Sequence, residues 1–146
     1  MKPMLPSRLS AVTLVTDDVM ARRGFYEALG WRTPHAPRDD YSRMETAGAA
    51  LSLWTSAEAR DEIARPLERA GFRFPGFTLA VAVESDELVD EGLEAARTAG
   101  ATVVGEAEYR PFGGRSAYFA DPAGIPWEIV RIPDTRIDER GVLRYD

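Results

Sequence analysis

Apolar stretches and amphipathic stretches alternate along this chain in a regular order. Residues 9–16 form a short apolar run rich in Val and Thr, which predicts a buried strand. Asp17 and Asp18 follow it and favour the start of a helix, by capping and by the helix dipole. Gly30 is typical of the residue that ends such a helix. The apolar positions that recur at helical spacing, and so predict its packed face, are Met20, Phe25, Tyr26 and Leu29.

The rest of the first half is predicted to be mostly extended. Two strands over residues 41–46 and 50–55 are joined by a short Ala-Gly turn. A short helix over residues 56–62 would follow, with Ser56 as its cap. Residues 63–75 carry two prolines, a glycine and mixed charge, and are predicted to be a linker.

The same order returns in the second half. Residues 77–83 form an apolar strand, and residues 86–99 form a capped amphipathic helix. Residues 133–146 are polar and charged and are predicted to be a tail, which Val142 and Leu143 could hold against the domain. Three further strands are predicted over residues 101–106, 115–120 and 126–131.

Two ten-residue segments carry this repeat. Residues 45–54 align with residues 121–130, and each has an acidic residue, an Ala-Gly turn and an apolar strand. The alignment puts Glu128 where Ser52 stands in the first copy. The sequence therefore predicts an α+β fold of two paired βαβββ modules whose curved sheets enclose a cleft, the usual site for a small molecule. The predicted single domain, residues 1–146, divides into module one at about 8–62, a linker at about 63–75, module two at about 76–132 and a tail at 133–146.

Composition narrows the classes of partner. The chain has 146 residues, of which 45% are hydrophobic, and this suits one globular domain. Its formal net charge of −6 argues against nucleic acid as a partner. No apolar run approaches the roughly 20 residues that span a bilayer, and the N-terminus lacks the apolar core of a signal peptide. With no cysteine for disulfides or thiolate sites, we expect a cytoplasmic protein with no membrane partner.

Glu128 is the first candidate for chemistry. It lies on a predicted inward strand among apolar neighbours, where an acid has to be paired or protonated. A structural acid would be hydrogen-bonded to Ser52, Thr78 or Tyr118. A functional acid would have a raised pKa and act as a base, or hold a cationic or donor-rich ligand. The residues alone leave both interpretations open.

Aromatic residues and the single histidine are further candidates. Trp54 ends a predicted inner strand and is the best candidate for stacking on a ligand, and Tyr118 lies on another such strand. His35 lies in a proline-bounded loop. A loop histidine is usually solvated, but at the rim of a cleft it could transfer protons near neutral pH.

Motifs at both ends of the repeat resemble those of a known superfamily. Residues 11–18 (AVTLVTDD) and 25–31 (FYEALGW) resemble its opening strand and helix end, and residues 118–128 (YFADPAGIPWE) resemble its last turn and strand. The chain is similar to the vicinal oxygen chelate superfamily, which includes glyoxalase I, extradiol dioxygenases, fosfomycin resistance enzymes and bleomycin resistance proteins. The resemblance covers nearly the whole chain apart from the tail. It implies paired βαβββ modules and often a dimer, so we expect a homodimer.

The resemblance also implies where a metal would lie. Enzymes of the superfamily hold a divalent metal in the cleft through His, Gln or Glu on the first and last strands of the modules. The matching positions are Ala11, Ser52, Thr78 and Glu128. Only Glu128 is a strong ligand, because alanine has no donor atom and neutral hydroxyls bind transition metals poorly. We expect no cofactor and no metal-binding residue set, with a weak Mg²⁺ or Mn²⁺ site at Glu128, completed by substrate, as the alternative.

Three functions stay open. The first is metal-free binding of a small aromatic or cationic molecule in the cleft, as in the drug-sequestering members of the superfamily. The second is a lyase- or isomerase-type enzyme in which Glu128 is the catalytic base. The third, a non-catalytic dimerisation or regulatory module, has no positive feature in the sequence. The candidate ligand-binding residues are Trp54, Ser52, Thr78, Tyr118, Glu128 and His35.

Overall fold

The structure is a computed structural model that describes residues 4–145. Within them, none of the helices is long and apolar enough to cross a membrane. The strands are β1 (Ala11–Thr16), β2 (Tyr41–Met44), β3 (Ala50–Thr55), β4 (Phe77–Ala82), β5 (Thr102–Tyr109), β6 (Arg115–Ala120), β7 (Pro126–Arg131), β8 (Thr135–Ile137) and β9 (Leu143–Tyr145). The helices are α1 (Val19–Ala28), α2 (Ser56–Ala59), a π-helical turn (Arg60–Ala64), α3 (Arg65–Arg69) and α4 (Asp86–Ala99).

Seven strands form one mixed sheet in the order β2-β3-β1-β4-β7-β6-β5. The central strands β1 and β4 are antiparallel and join a first half-sheet (β2, β3, β1) to a second (β4, β7, β6, β5) within one chain. In each half, the last strand runs parallel to the first. The mixed sheet with helices outside it confirms the predicted α+β class, and the repeat is visible as two half-sheets placed edge to edge.

The first half-sheet is one strand short of the predicted order. Among residues 4–145, the segment 31–40 contains no strand, although a backbone hydrogen bond of 2.8 Å from the N–H of Glu45 to the carbonyl of Arg32 marks where one would run. Pro34 and Pro37 explain the difference, because proline has no N–H to donate to a ladder. The sheet therefore has seven strands rather than eight.

The register of the central strands decides which side chains share a face. Thr13 on β1 lies directly opposite Ser52 on β3 and Thr78 on β4. Ala80, two residues further along β4, pairs with Glu128 on β7. Because side chains alternate across a strand, these five residues lie on the same side of the sheet. We call this side the inner face.

The helix α4 covers the opposite, outer face of the second half-sheet. Ser85 caps its first turn, and Gly100 ends it with a φ of 105°, a left-handed conformation that favours glycine. The predicted helix over residues 86–99 is therefore confirmed. The buried residues of α4 are Val89, Gly92, Leu93 and Ala96. They form the main apolar core with Val81, Val83, Ala117, Phe119 and Ile129.

The helix α1 has a different packed face from the predicted one. Its buried residues are Val19 and Arg23. Phe25 is 60% exposed, and Leu29 and Met20 are also exposed, so the predicted face was wrong. The reason is that α1 turns Arg23 inward, where its guanidinium donates to a backbone carbonyl of the following loop. This rotation carries the apolar stripe outward.

The segment after β3 is longer and more helical than predicted. The helical residues begin at Ser56 and continue through the π-helical turn to Arg69, into the predicted linker at residues 63–75. Thr55, rather than Ser56, occupies the cap position. Ile63 is fully buried, so the segment gains apolar burial by folding over the sheet, which the prolines alone did not indicate.

The predicted tail is folded as a second sheet of two strands, β8 and β9. Leu143 is 7% exposed, so it does hold this segment down. It packs on the inner face with Ala11, Ala80 and Val130. Residues 135–145 are therefore part of the folded domain and pack on the inner face.

Candidate functional site

The four positions matched to metal-binding residues lie together on the inner face. Ser52 and Glu128 occupy equivalent places in the two half-sheets, because Ser52 pairs with Thr13 on β1 and Glu128 pairs with Ala80 on β4. Ala11 lies two residues before Thr13, and Thr78 lies two residues before Ala80, so both share the same face. Of these four residues only Glu128 can carry a charge, and the strand pairing of the sheet places it beside hydroxyl groups.

Glu128 is a partly buried carboxyl with an unusual affinity for protons. Burial raises its pKa from the ordinary 4.5 to about 7, and the negative charge of Glu62 adds to the rise. Hydrogen bonds with the hydroxyls of Ser116 and Tyr118, and the positive charge of Arg110, oppose it. Glu128 is therefore divided between its neutral and ionised forms near neutral pH.

Tyr118 links Glu128 to a second carboxylate. It lies directly opposite Glu128 on β6 and is 2% exposed. Its hydroxyl donates a hydrogen bond to Oε2 of Glu62, on the π-helical turn. Burial raises the pKa of Tyr118 well above its ordinary range, and the charges of Glu128 and Glu62 raise it further. Nothing in the sequence marked Glu62, because it is 56 residues from Tyr118 along the chain and belongs to no motif.

Arg110 brings a positive charge to the edge of this cluster. Its Nε donates to the hydroxyl of Ser116 at 2.8 Å, and its guanidinium carbon lies 5.4 Å from the ring centroid of Tyr118. Its Nη1 also pairs with Glu108 at 3.1 Å, and its side chain is only 9% exposed. The bend of β5 that directs Arg110 inward comes from its irregular pairing with β6, which sequence patterns do not show.

Neutral hydroxyls lie on both sides of the midline of the inner face. Ser52, on β3, and Thr78, on β4, are almost fully buried. The hydroxyl of Tyr41, on β2, lies 3.1 Å from that of Ser52 and is hydrogen-bonded to it. The hydroxyls of Ser52 and Tyr41 are thus separated from the carboxyl of Glu128 by the central strands β1 and β4.

Trp54 borders the polar cluster. Its indole N–H donates to Oε2 of Glu58 at 3.2 Å. Its ring packs with Ile63 and Tyr118, beside the helical segment that follows β3. A ligand could meet the edge of this ring only by contacting the helical segment as well.

His35 lies apart from Glu128, at the edge of the first half-sheet. Its Nε2 accepts the backbone N–H of Arg43 at 2.9 Å, and its Nδ1 lies 2.8 Å from the carbonyl oxygen of Ala36. Both ring nitrogens are therefore bound to the backbone. Of the predicted site residues, the structure brings together Ser52, Thr78, Tyr118 and Glu128, with Trp54 beside them.

Two segments cover the inner face. The helical residues 56–69 cover one end, where Ile63 packs against Tyr118. The hairpin of β8 and β9 covers the other end, where Leu143 packs on Ala80. The polar cluster lies between these two covers.

Two open cavities lie away from this cluster. One of about 390 Å³ is bordered by Trp31, Arg32 and Glu45. The other, of about 400 Å³, is bordered by Leu5 and Trp127 among others. Neither is lined by a predicted site residue.

A comparison of the chain with models of protein families identifies the superfamily to which it belongs. A family model described as the Glyoxalase/Bleomycin resistance protein/Dioxygenase superfamily matches residues 8–129. The chain belongs to this superfamily. The match includes all four inner-face positions and confirms the resemblance seen in the sequence. Superfamily membership does not assign an activity, because one fold hosts many chemistries.

Solved structures with the same fold include members of this superfamily. A protein from Legionella pneumophila described as NAD-dependent benzaldehyde dehydrogenase has a TM-score of 0.67 and 18% identity, over 84% of this chain and 97% of that one. A superfamily member from Vibrio splendidus 12B01 has a TM-score of 0.52 and 14% identity, over 83% and 96%. The Mn(II)-bound glyoxalase from Novosphingobium aromaticivorans has a TM-score of 0.55 and 18% identity, over 86% of this chain and 38% of that one. At these identities the likeness shows the fold alone. No curated protein matches the chain.

The residues present do not fit the divalent metal that enzymes of the superfamily hold. In the described residues 4–145, no three His, Cys, Asp or Glu side chains gather into a metal-binding group. Of the four matched positions, only Glu128 supplies a strong donor, and Ala11 supplies none. Glu62, the second carboxylate, accepts the hydroxyl of Tyr118. The four matched positions of this superfamily member therefore carry one carboxyl and two hydroxyls.

Proposed function

We propose that this protein binds a small molecule on its inner face without a resident metal, and that Glu128 anchors it. The observation that supports this most is that a partly buried carboxyl with a pKa of about 7 is hydrogen-bonded to the hydroxyls of Ser116 and Tyr118. Such a carboxyl accepts a hydrogen bond from a donor ligand, or pairs with a positive one when ionised.

The surroundings of Glu128 favour a ligand with a hydrogen-bond donor or a positive charge beside a ring. Glu62 adds a second negative group next to Tyr118. Trp54 and Tyr41 lie at the borders of the cluster and offer ring faces, which attract both aromatic groups and cations. An aromatic or cationic compound therefore satisfies the groups that are present.

Thermal unfolding with a panel of aromatic and cationic compounds tests this proposal. Wild type is compared with Glu128→Gln and with Glu91→Gln, which removes an exposed carboxyl from α4. We expect compounds that raise the melting temperature of wild type and of Glu91→Gln but not of Glu128→Gln. A panel in which every hit stabilises all three proteins equally would contradict the proposal.

A second candidate is an enzyme of the lyase or isomerase type with Glu128 as its base. One observation favours it: a pKa of about 7 suits a group that must take up and release protons near neutral pH. In this case Glu128 would remove a proton from carbon on the bound substrate, beside the hydroxyl of Tyr118.

Hydrogen–deuterium exchange into the ligand separates the two candidates. A base that removes a carbon-bound proton exchanges it with D₂O, which NMR of the ligand detects. The enzyme predicts exchange with wild type and none with Glu128→Gln. Binding without exchange, in wild type, would favour the binding protein instead.

We further propose a homodimer that uses the exposed face of α1, in a cytoplasmic protein. Phe25 and Leu29 lie together on that face and are both exposed, and burying them against a second copy would be favourable. Light scattering should therefore give twice the chain mass for wild type and a smaller mass for Phe25→Ser. Asp61→Ser, an exposed change elsewhere, is the control. A monomeric wild type would contradict the dimer.

A further inference from the structure

The C-terminal hairpin keeps its own shape. The carboxylate of Asp138 accepts hydrogen bonds of 2.9 Å from the backbone N–H groups of Arg140 and Val142, and from Nε of Arg144. These contacts, first of all the one from Val142, lower the pKa of Asp138. Within residues 4–145, β8 and β9 pair with each other and with no strand of the seven-stranded sheet. The hairpin is thus a folded unit that rests on the inner face through side chains.

Leu143, Tyr145 and Ile137 are the side chains that the hairpin packs on the side of the sheet that carries Glu128. Leu143 belongs to one buried cluster with Val130, and Tyr145 and Ile137 pack against this cluster. Small side chains beneath them leave a trough that these larger side chains fill. The residues that form this trough are Ala11, Ala50, Ala80 and Ala82.

Tyr145 occupies a subsite that contacts both its ring and its hydroxyl. The guanidinium carbon of Arg43 lies 3.5 Å from the ring centroid, a cation–π contact. The hydroxyl is hydrogen-bonded to Tyr41, which is bonded in turn to Ser52. Burial raises the pKa of Tyr145, the phenol of Tyr41 raises it further, and Glu128 adds a smaller effect.

Part of this subsite is held within the first half-sheet. The backbone N–H of Arg43 donates to Nε2 of His35 at 2.9 Å. The ring of His35 also stacks on that of Tyr41, with centroids 6.3 Å apart and planes 20° from parallel. The backbone of Arg43 and the ring of Tyr41 are therefore held by their own half-sheet, while the guanidinium of Arg43 lies against the ring of Tyr145.

A short joint connects β7 to the hairpin. Pro133 and Asp134 form it, and Asp134 has a φ of 60°, a left-handed conformation that aspartate adopts more readily than most residues with a side chain. Moving the hairpin away from the inner face would break no pairing of the main sheet.

We propose that the C-terminal hairpin is a built-in competitor for the ligand, and that the ligand is a para-substituted phenol that takes the place of Tyr145 beneath Arg43. The ligand's hydroxyl reaches Tyr41 and the centre of the inner face, and the hairpin swings out as the ligand enters. This inference rests on the proposed binding function, because it names the ligand class of the same face. It also assigns specificity to Arg43 and Tyr41.

Titration calorimetry with 4-methylphenol tests the ligand class. Tyr145→Ala should bind it at least about tenfold more tightly than wild type, because the subsite no longer contains its own phenol. Tyr109→Ala, which removes an exposed tyrosine, should match wild type. Toluene, which has the ring without the hydroxyl, should bind Tyr145→Ala much more weakly than 4-methylphenol does. Equal binding of the two compounds would reveal a non-specific cavity and overturn the assignment.

Amide hydrogen exchange on the wild-type chain tests the displacement without any substitution. Saturating 4-methylphenol should speed exchange in residues 135–145 and leave α4 unchanged. Unchanged or slower exchange in the hairpin with the ligand bound would overturn the competitor role.

Glu128→Gln in the Tyr145→Ala background separates this inference from the proposed function. If 4-methylphenol binds the double variant as well as the single one, the phenol subsite stands and the anchoring role of Glu128 fails. If other compounds bind in a Glu128-dependent way while 4-methylphenol does not bind Tyr145→Ala, the proposed function stands and the phenol subsite is overturned.

Discussion

The two half-sheets share one pattern of strand pairing and use it in different ways. The second half-sheet packs α4 into an apolar core and carries Glu128 on its inner face. The first half-sheet has Ser52 at the equivalent position, and its helix α1 buries Arg23 while Phe25 stays exposed. The comparison teaches that the repeat preserved the backbone pairing, while the core and the charge became concentrated in the second half. The first half supplies the hydroxyls of Ser52 and Tyr41, the guanidinium of Arg43 and a helical cover.

The largest expected effect compares the two helices. Leu93→Ala, in the buried face of α4, should lower the free energy of unfolding by about 2–5 kcal/mol, because it leaves a cavity in the core. Phe25→Ala, on α1, should change it by about 0.5 kcal/mol or less in the monomer, because the ring is exposed. Urea unfolding at low protein concentration measures both. Equal losses would mean that the two helices share the core evenly.

The next effect concerns the carboxyl of Glu128, which stands where Ser52 stands in the first half-sheet. The folded-state pKa of Glu128, about 7, exceeds its ordinary 4.5, so the stability linked to its proton is complete below pH 4.5 and is lost as the pH rises through 7. Glu128→Gln, which cannot ionise, should therefore be more stable than wild type at pH 8 by about 3 kcal/mol and similar at pH 4.5.

Unfolding curves at several pH values check this expectation for Glu128. Ser52→Ala, at the equivalent position, should show the pH dependence of wild type, because it leaves the titrating group in place. A Glu128→Gln variant whose stability still follows wild type between pH 4.5 and 8 would show that the carboxyl is not the source of the linkage.

A smaller effect compares the tyrosine hydroxyls on the two sides of the inner face. Tyr118→Phe removes the buried donor to Glu62 and should cost about 1–3 kcal/mol of unfolding free energy at pH 8. Tyr41→Phe removes a neutral partner of Ser52 and should cost about 0.5–1.5 kcal/mol. Thermal or urea unfolding gives both values. A larger loss of unfolding free energy for Tyr41→Phe than for Tyr118→Phe would contradict the assignment of the charged side of the inner face to the second half-sheet.

The smallest effect concerns the buried arginine of α1. Arg23 bonds the carbonyl of His35, pairs with Glu27 at 3.3 Å, and leaves Nη1 buried without a partner. Arg23→Met keeps the stem and removes the buried charge, so we expect a change within about 1 kcal/mol in either direction. Arg60→Met is an exposed control. A loss of several kcal/mol, measured by urea unfolding, would mean that this charge is essential to the first half.

Local signals in the sequence were sufficient to predict the secondary-structure elements and the repeat. Alternating and helical periodicities, with Asp18, Ser85 and Gly100 at helix ends, depend on neighbours a few residues away. The alignment of the two copies of the repeat is what matched Ser52 with Glu128. The packed face of α1 was wrong for the same reason: periodicity locates an apolar stripe, but only the loop bound by Arg23 decides which way the helix turns.

The sequence by itself determined the fold class, the superfamily and the inner-face position of Glu128, because these depend on local periodicity and on motifs within one stretch of chain. The tertiary structure decided what surrounds that carboxyl. Glu62, Arg110 and Tyr145 reach the inner face from a π-helical turn, an irregular strand and a C-terminal hairpin. Contacts between residues so far apart along the chain depend on how the segments fold over the sheet, and burial by those segments is what raises the pKa of Glu128.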